Sequence, residues 1–177
     1  MKIVTRRVIM GYPAKVIANA FLDKAEQAGT TLTPMKLQKL IYYAHGWYLA
    51  IKNQPLIDEY IEAWDYGPVV SSVYSEFRNF GAAPIYSRAT LWDQQQQNYV
   101  VPKPKQTDCD LHSLIDAIWN SYSQYDALKL SEMTHLEGAP WHTVKKKYPD
   151  FRNVQIPNEV IFDYFSAMLP KEEVANS

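Results

Sequence analysis

The sequence predicts a mainly α fold: a compact bundle of six or seven helices around a buried central helix at about residues 33–52, with a small β element. Three observations support this prediction. Apolar residues recur at helical spacing through most of the chain. The segment from Leu37 to Ile51 is apolar on nearly all sides, which is typical of a helix buried in a core. Hydrophobic residues make up 47% of the 177 residues and charged residues 21%, an ordinary globular composition.

Two helices are predicted in the first third of the chain. The first covers residues 13–29, because Pro13 opens its pattern and Gly29 stops it. The central helix has Thr33 as its N-cap and Pro34 in its first turn, and it continues to about Lys52. Gly46 lies inside this helix, where glycine costs about 1 kcal/mol relative to alanine. We therefore expect another element to approach Gly46 closely.

The middle of the chain is predicted to contain the small β element. Residues 57–65 form a short extended segment. Gly67-Pro68 then begins another helix, which ends at Gly81 because glycine is the usual residue just after a helix. Residues 82–108 are predicted to be a loop with one or two edge strands, of which 98–101 is the clearest.

Four further helices are predicted in the last part of the chain. The first is capped by Asp108 or Asp110 and carries an amphipathic stripe. The second covers residues 128–136, and the third, which Pro140 begins, ends near residue 147. The last helix begins near Pro157.

The length favours one domain, since domains typically have about 100–200 residues. We interpret residues 1–11 as an N-terminal arm, residues 12–170 as the domain and residues 171–177 as a frayed tail. Met10 is an alternative to Met1 as the natural start, because the helical pattern begins only after it.

Composition excludes several classes of protein. The net charge is −1, which disfavours nucleic acid as a partner. The single cysteine rules out an internal disulfide and a multi-cysteine zinc site. The longest nearly apolar run, residues 40–51, is too short to cross a bilayer, which takes about 20 residues. We find no signal peptide and predict a cytoplasmic location without membrane contact.

The search for catalytic or metal-binding residues finds only weak candidates. Glu132 and His135 form one Glu-x-x-His pair, whereas helical di-iron sites need two such pairs and two further glutamates. Cys109 has His112 three residues later, but no third group is visible to orient a base. We therefore predict no catalytic residues, no metal and no cofactor, and keep a metal or cysteine enzyme as an alternative.

A basic patch stands near the C-terminal side of the third of these late helices. It contains Lys145, Lys146 and Lys147, followed by Arg152. Such a run is usually a solvated face, and it could also meet an acidic partner.

The central helix carries polar side chains on the side away from its main apolar stripe. If this helix is central, Lys39 is partly buried and needs a partner, for which Glu62 and Asp65 are the natural candidates. The group is either a polar site for a partner or a satisfied network that fixes the turn at Trp64–Pro68. The predicted network consists of Gln38, Lys39, Tyr42, His45, Glu62 and Asp65.

Three blocks of sequence, in this order and at this spacing, are similar to a known family. They are Thr33–Ala44 (TPMKLQKLIYYA) with Gln54-Pro55-Leu56; Glu62–Val70 (EAWDYGPVV) with Val73-Tyr74 and Phe77; and Leu130-Ser131, Thr134-His135 and Pro140-Trp141. This succession resembles the Panacea antitoxin domain, also called the SocA-type or GepA-type domain. The resemblance covers roughly residues 12–147, and His45 departs from the glutamine expected at its position.

The resemblance implies an antitoxin that binds and inactivates a toxin encoded by the adjacent gene. Members of the family are paired with toxins of many kinds, including nucleotide pyrophosphokinase-type toxins that block translation. One member is an adaptor that hands its toxin to a cytoplasmic AAA+ protease, which is an alternative here. Such genes are common in phages and prophages. A second alternative is therefore a phage accessory protein that blocks a host defence factor.

An aromatic excess suits a protein that works by binding. The chain has 13 Tyr and 5 Trp, residue types that together with Arg carry most of the energy of protein interfaces. The opposing interpretation is that the tryptophans are core residues. The residues predicted to contact the partner are Tyr43, Trp47, Asp65, Tyr66, Trp141 and His142.

Overall fold

The computed structural model describes residues 11–170, which contain seven α-helices and two small antiparallel sheets. The mainly α class and the predicted number of helices are confirmed. The helices are α1 (Ala14–Gln27), α2 (Pro34–Lys52), α3 (Ser71–Phe77), α4 (Cys109–Tyr122), α5 (Ala127–Thr134), α6 (Pro140–Lys147) and α7 (Asn158–Ala167). The strands are β1 (Ile61–Trp64), β2 (Gly67–Val69), β3 (Leu91–Asp93), β4 (Asn98–Val100) and β5 (Val154–Ile156). The predicted tail 171–177 and most of the predicted arm, residues 1–10 with both candidate starts, lie outside the described residues.

Helix α2 is the central helix, as predicted. The Thr33 hydroxyl accepts a hydrogen bond from the Lys36 backbone N–H at 3.4 Å, which satisfies one of the free donors of the first turn. The helix ends at Asn53, whose φ of 50° is left-handed. It packs against α1, α3, α4, α5, α7 and β2, and its residues from Leu37 to Gly46 are all buried.

Gly46 is the point where α7 approaches α2. A Cβ atom on Gly46 would overlap the ring of Phe165 at Cε2, so a residue with a side chain would not fit here. The expected close approach is therefore confirmed. The ring of Phe165 also packs edge-on against Tyr42, Tyr43 and Trp47, so this aromatic cluster joins the two helices.

The predicted helix start at Gly67-Pro68 is wrong, because these residues form strand β2. Trp64 pairs with Gly67, and Glu62 pairs with Val69, in an antiparallel hairpin. Gly67 has a φ of 102°, which a residue with a side chain rarely adopts. Pro68 is tolerated because β2 lies at the edge of the sheet. Helix α3 begins only at Ser71.

The three-stranded sheet has the order β2–β1–β5. Strand β2 packs on α2 and α5, whereas β1 and β5 contact α6. The sequence pattern did not predict β5, since three residues are too short to show an alternation. The second sheet is the β3–β4 hairpin, in which Trp92 stands opposite Tyr99. It confirms the prediction of edge strands in residues 82–108.

The late helices begin close to their predicted positions. Asp108 caps α4, because its carboxylate accepts a hydrogen bond from the Leu111 backbone N–H at 3.1 Å. Asp126 caps α5 in the same way, with the Lys129 N–H at 2.7 Å.

Within residues 11–170, no helix is both long enough and apolar enough to cross a membrane.

Candidate functional site

A cavity of about 490 Å³ lies between the first half of α2 and the β1–β2 hairpin. We call it the α2–hairpin cavity. Its volume falls within the range of about 300–1,000 Å³ that is typical of ligand sites. It is lined by Pro34, Met35, Gln38 and Lys39 of α2, by Trp64, Asp65, Tyr66 and Val69 of the hairpin, and by Tyr74, Gly81, Arg152 and Asn153.

Gln38 fixes the chain at the end of the hairpin. Its side-chain NH₂ donates to the Val70 carbonyl at 3.1 Å, and its side-chain oxygen accepts from the Val70 N–H at 2.8 Å. Both groups of Val70 are buried. Because one amide satisfies a backbone donor and a backbone acceptor together, Gln38 holds α2 and the start of α3 at a fixed spacing.

Lys39 is fully buried, with 1% of its surface exposed. Its Nζ donates to the carbonyl of Pro68 at 3.2 Å. Burial lowers the pKa of Lys39 to about 7, because removal from water penalises the charged form. A Cβ on Gly67 would lie 2.8 Å from this Nζ, so the glycine provides the space that the ammonium group occupies.

The expected pairing of Lys39 with Glu62 or Asp65 is wrong. Glu62 accepts from Trp64 Nε1 at 2.7 Å and from the Ser71 hydroxyl at 2.6 Å. Asp65 is exposed, and its carboxylate lies 3.4 Å from the Nζ of Lys145. Both carboxylates therefore stay near solvent with their own donors, while Lys39 uses a backbone carbonyl instead.

His45 and Tyr42 make separate contacts of their own. The Ile57 N–H donates to Nδ1 of His45 at 3.4 Å, so the Nε2–H donates to Asn158 Oδ1 at 2.9 Å. Burial lowers the pKa of His45 to about 4. The Tyr42 hydroxyl is buried without a hydrogen-bond partner among the described residues, and burial raises its pKa. The six residues of the predicted network therefore do not share hydrogen bonds with one another, and each has its own surroundings.

Three residues of the predicted partner surface, Asp65, Tyr66 and Trp141, lie at the tip of the β1–β2 hairpin, and a fourth, His142, follows Trp141 in α6. Asp65 and Tyr66 are the two turn residues, and Tyr66 is 74% exposed. Trp141 donates from Nε1 to the Trp64 carbonyl at 2.7 Å, which attaches the start of α6 to the turn. His142, next to it, is half-buried and accepts from the Gly138 N–H at 3.4 Å.

Residues 37–142, more than half of the chain, match the protein family described as "Antitoxin SocA-like, Panacea domain". The chain belongs to this family. It is also 34% identical over 131 residues to the protein named Antitoxin SocA of Caulobacter vibrioides (strain NA1000 / CB15N). The alignment covers 74% of this chain and 69% of that protein. No solved structure matches the chain significantly.

The matched part of the Panacea domain contains most of the site. It includes α2 from Leu37 onwards, the β1–β2 hairpin, α5 and the start of α6 up to His142. Arg152 and Asn153, which close one side of the cavity, lie beyond it. Phe165 of α7 also lies beyond it, although it packs on the central helix.

The other two predicted contact residues of the Panacea domain are placed away from the hairpin tip. Tyr43 is 6% exposed, stacks on Tyr122 at 4.2 Å and donates its hydroxyl to the Leu130 carbonyl. Trp47 is half-buried, and its Nε1 donates to the Tyr122 hydroxyl at 2.8 Å. Both rings hold α2 to its neighbours, so the contact surface proposed below omits them.

The two residues considered as metal ligands, Glu132 and His135, have different partners. Glu132 pairs with Lys129 at the surface, whereas His135 packs edge-on against Trp141 at 3.8 Å. Burial lowers the pKa of His135, and the nearby charge of Lys39 lowers it further. Between residues 11 and 170, no three His, Cys, Asp or Glu side chains are grouped so that they could hold a metal ion.

Cys109 is exposed at the first position of α4. The Nε2 of His112 forms its hydrogen bond with the Lys105 carbonyl at 3.1 Å. The ring that was considered as a base for this thiol therefore already has a backbone partner.

Sequence reasoning missed Met35 and Tyr74 as site residues, and it named Arg152 only as part of the basic patch and not as part of this cavity. They come from the first turn of α2, from α3 and from the loop before β5. These segments are far apart in sequence, and each residue taken alone is unremarkable in its local pattern. Only the position of the hairpin brings them to one cavity.

Proposed function

We propose that this chain is the antitoxin of a toxin–antitoxin pair and that it neutralises the toxin encoded by the adjacent gene by binding it directly. The observation that carries this proposal is membership of the SocA-like antitoxin family, together with 34% identity to Antitoxin SocA over most of both chains. A binding role needs a surface with exposed aromatic anchors, which the hairpin tip supplies in Tyr66.

The proposed contact surface consists of Asp65, Tyr66, Trp141 and His142. Trp141 is held by the Trp64 carbonyl, so the turn and the start of α6 present their side chains in a fixed arrangement. An aromatic side chain that is rigid before binding loses little conformational entropy when it is covered. Tyr66 has most of its surface available for such an anchor.

The proposal is tested first by growth. The adjacent gene is expressed with and without this chain, in hosts that have and hosts that lack the main AAA+ proteases. We expect the adjacent gene to stop growth and this chain to restore it in every host. Restoration only in hosts with a protease would support the adaptor function instead. An adjacent gene that is harmless, or whose toxicity persists, would overturn the proposal and make a host defence factor the next target to test.

The contact surface is tested with the double variant Tyr66→Ala/His142→Ala. We expect it to bind the adjacent gene's product at least about 30-fold more weakly, since one interface anchor contributes about 2 kcal/mol or more. Tyr60→Ala is the matched control, because Tyr60 is 71% exposed and precedes the other end of β1. Unchanged binding by the double variant, with its folding intact, would remove this surface.

A further inference from the structure

We infer that the α2–hairpin cavity receives a segment of the partner protein in which an apolar or aromatic side chain stands next to a carboxylate. This inference rests on the proposed function for the existence of a partner protein, and it identifies the chemistry of the part that binds. It is carried by three features of the cavity: its apolar walls, the exposed aromatic rings around its mouth and the balance of charge on its lining.

The walls of the cavity suit an apolar side chain. Met35 comes from α2 and Val69 from β2, and the indole of Trp64 packs against Tyr74 of α3. Of the two amides in the lining, Gln38 has both of its side-chain groups engaged by Val70, and Asn153 stands beside Arg152 in the loop before β5. An occupant therefore meets hydrocarbon and aromatic rings over most of the surface, as in most binding pockets.

Exposed aromatic rings at the mouth of the cavity and beside it favour a protein segment over a small molecule. Tyr66 and Tyr74 are 74% and 40% exposed at its mouth. Phe151 is 65% exposed, and its carbonyl and the Asp65 carboxylate both lie 3.4 Å from the Nζ of Lys145. A ligand confined to the cavity would contact only part of Tyr66 and Tyr74 and would leave Phe151 in water. A polypeptide that crosses the mouth would cover more of these rings, and exposed apolar surface marks interaction sites.

The charges on the lining favour an acidic occupant. Lys39, Asp65 and Arg152 are its charged residues. The carboxylate of Asp65 is compensated by Lys145. Over the described part of the chain, neither Lys39 nor Arg152 forms an ion pair. A carboxylate placed beside the apolar side chain would meet the guanidinium of Arg152 at the exposed rim, where bidentate hydrogen bonds are available to it.

The first test fills the cavity. Met35→Trp adds bulk at its wall, and Ile51→Trp is the matched control because Ile51 lies on the same helix beside a second cavity of about 270 Å³. The probe is the purified product of the adjacent gene, with binding measured by calorimetry and folding checked by thermal unfolding. We expect Met35→Trp to bind at least about 30-fold more weakly, the factor for loss of an interface anchor, and Ile51→Trp to bind as the parent does.

The second test reverses the rim charge and does not disturb the core. We expect Arg152→Glu to weaken binding about tenfold or more, and Lys105→Glu, an exposed control before α4, to leave it nearly unchanged. Overlapping synthetic peptides that cover the probe protein identify the segment that binds. Changing the acidic residue of that segment to lysine should restore binding to Arg152→Glu and weaken binding to the parent chain, which a merely structural role of Arg152 would not produce.

The outcomes separate this inference from the proposed function. A parent chain that does not bind the probe protein overturns the proposed function. If the parent binds but folded Met35→Trp and Arg152→Glu bind equally well, the antitoxin function stands and the cavity is not its contact site. Loss of binding in Ile51→Trp alone would overturn the inference in favour of the second cavity. Peptides that bind without an acidic residue would overturn its charge argument.

Discussion

The two sides of α2 are held by different kinds of contact. On the side of α7, Gly46 lets the ring of Phe165 lie directly against the helix backbone. On the side of the hairpin, Gln38 and Lys39 reach backbone groups of Val70 and Pro68. On the α7 side, close packing leaves no space between the helices. On the hairpin side, a few hydrogen bonds fix the distances between atoms and leave the volume around them open. The cavity lies on the side that is held by hydrogen bonds.

This difference indicates how one helix can serve both stability and binding. The α7 side concentrates aromatic contacts, because Phe165 meets Tyr42, Tyr43 and Trp47. The hairpin side has instead the hydrogen bonds of Gln38 and Lys39, which fix the distance between the hairpin and α2. We therefore expect changes to the aromatic contacts of the first side to lower the free energy of unfolding through lost packing. Changes on the second side should lower it through unsatisfied polar groups and, at Lys39, should alter its dependence on pH.

The largest expected effect is that of Phe165→Ala. Phe165 is completely buried, and loss of a buried phenylalanine costs about 3–5 kcal/mol of the free energy of unfolding. Gly46 has no side chain that could fill the vacated space, so we expect a cavity to remain. Urea unfolding measures the change, with Phe151→Ala, an exposed ring, as the control. A loss below about 1 kcal/mol would show that α7 is not anchored by this ring.

A somewhat smaller effect is expected from Gln38→Ala on the hairpin side. It leaves the Val70 N–H without a partner, and an unsatisfied buried group costs about 1–3 kcal/mol. The Val70 carbonyl keeps its bond from the Tyr74 N–H at 3.0 Å and loses only the one from Gln38, which adds about 1 kcal/mol. We therefore expect a total loss of about 2–3 kcal/mol. The exposed Gln155 of β5 provides the control, because a surface change to alanine stays within about 0.5 kcal/mol. Equal unfolding midpoints for the two variants would contradict the role given to Gln38.

The sequence predicts the features that are decided by neighbouring residues, and it misses those that are decided by contacts between strands. The bounds of α2 were predictable because Thr33, Pro34 and the helical period all act locally. The close approach at Gly46 was predictable because glycine destabilises a helix interior, which indicates that a neighbouring element requires the absence of a side chain. The start of β2 was not, since Gly67-Pro68 looks locally like a helix start and only pairing with β1 decides otherwise.

The site was predictable in part for the same physical reason. Asp65 and Tyr66 stand in one short turn, so a single local pattern finds them both. The partner of Lys39 was not predictable, because a backbone carbonyl carries no residue type that a sequence pattern can show. Arg152 reaches the cavity only through the pairing of β5 with β1, a contact between distant segments.

Lys39 should make the stability of the protein rise with pH. Its pKa is about 7 in the folded chain and about 10.4 in an unfolded one. Between these values the unfolded state binds more protons, so the free energy of unfolding increases with pH, by about 2 kcal/mol from pH 7 to pH 9. Below pH 7 both states are protonated, and the dependence on Lys39 disappears.

The measurement compares the parent chain with Lys39→Met by urea unfolding at pH 7, 8 and 9. Methionine keeps the length of the side chain but does not titrate, so its curve should be nearly flat in this window. Loss of the bond to Pro68 lowers stability equally at every pH and does not affect the slope. Parallel slopes for the two proteins would show that Lys39 remains charged in the folded state.

The smallest expected effect belongs to His45, on the same helix as Lys39, and it has the same sign in a lower window. Burial holds the pKa of His45 at about 4, whereas that of an unfolded histidine is about 6.5. The unfolded state therefore binds more protons as the pH falls, and about 1–2 kcal/mol of stability is lost between pH 6.5 and pH 5. Above pH 6.5 this contribution is fully present.

His45→Gln should remove that loss. A glutamine oxygen can accept from the Ile57 N–H, and its NH₂ can donate to Asn158 as the Nε2–H of His45 does. The amide does not titrate, so we expect the stability of the variant to match that of the parent within about 1 kcal/mol at pH 7. From pH 7 to pH 5 the variant should lose about 1–2 kcal/mol less of the free energy of unfolding than the parent. The test measures the unfolding midpoints of the parent and of His45→Gln at both pH values. Protonation of carboxylates affects the two proteins equally, so it cancels in the comparison. An unchanged difference between pH 7 and pH 5 would mean that His45 is already protonated in the fold, and Asn158 would then be the partner that stabilises its charge.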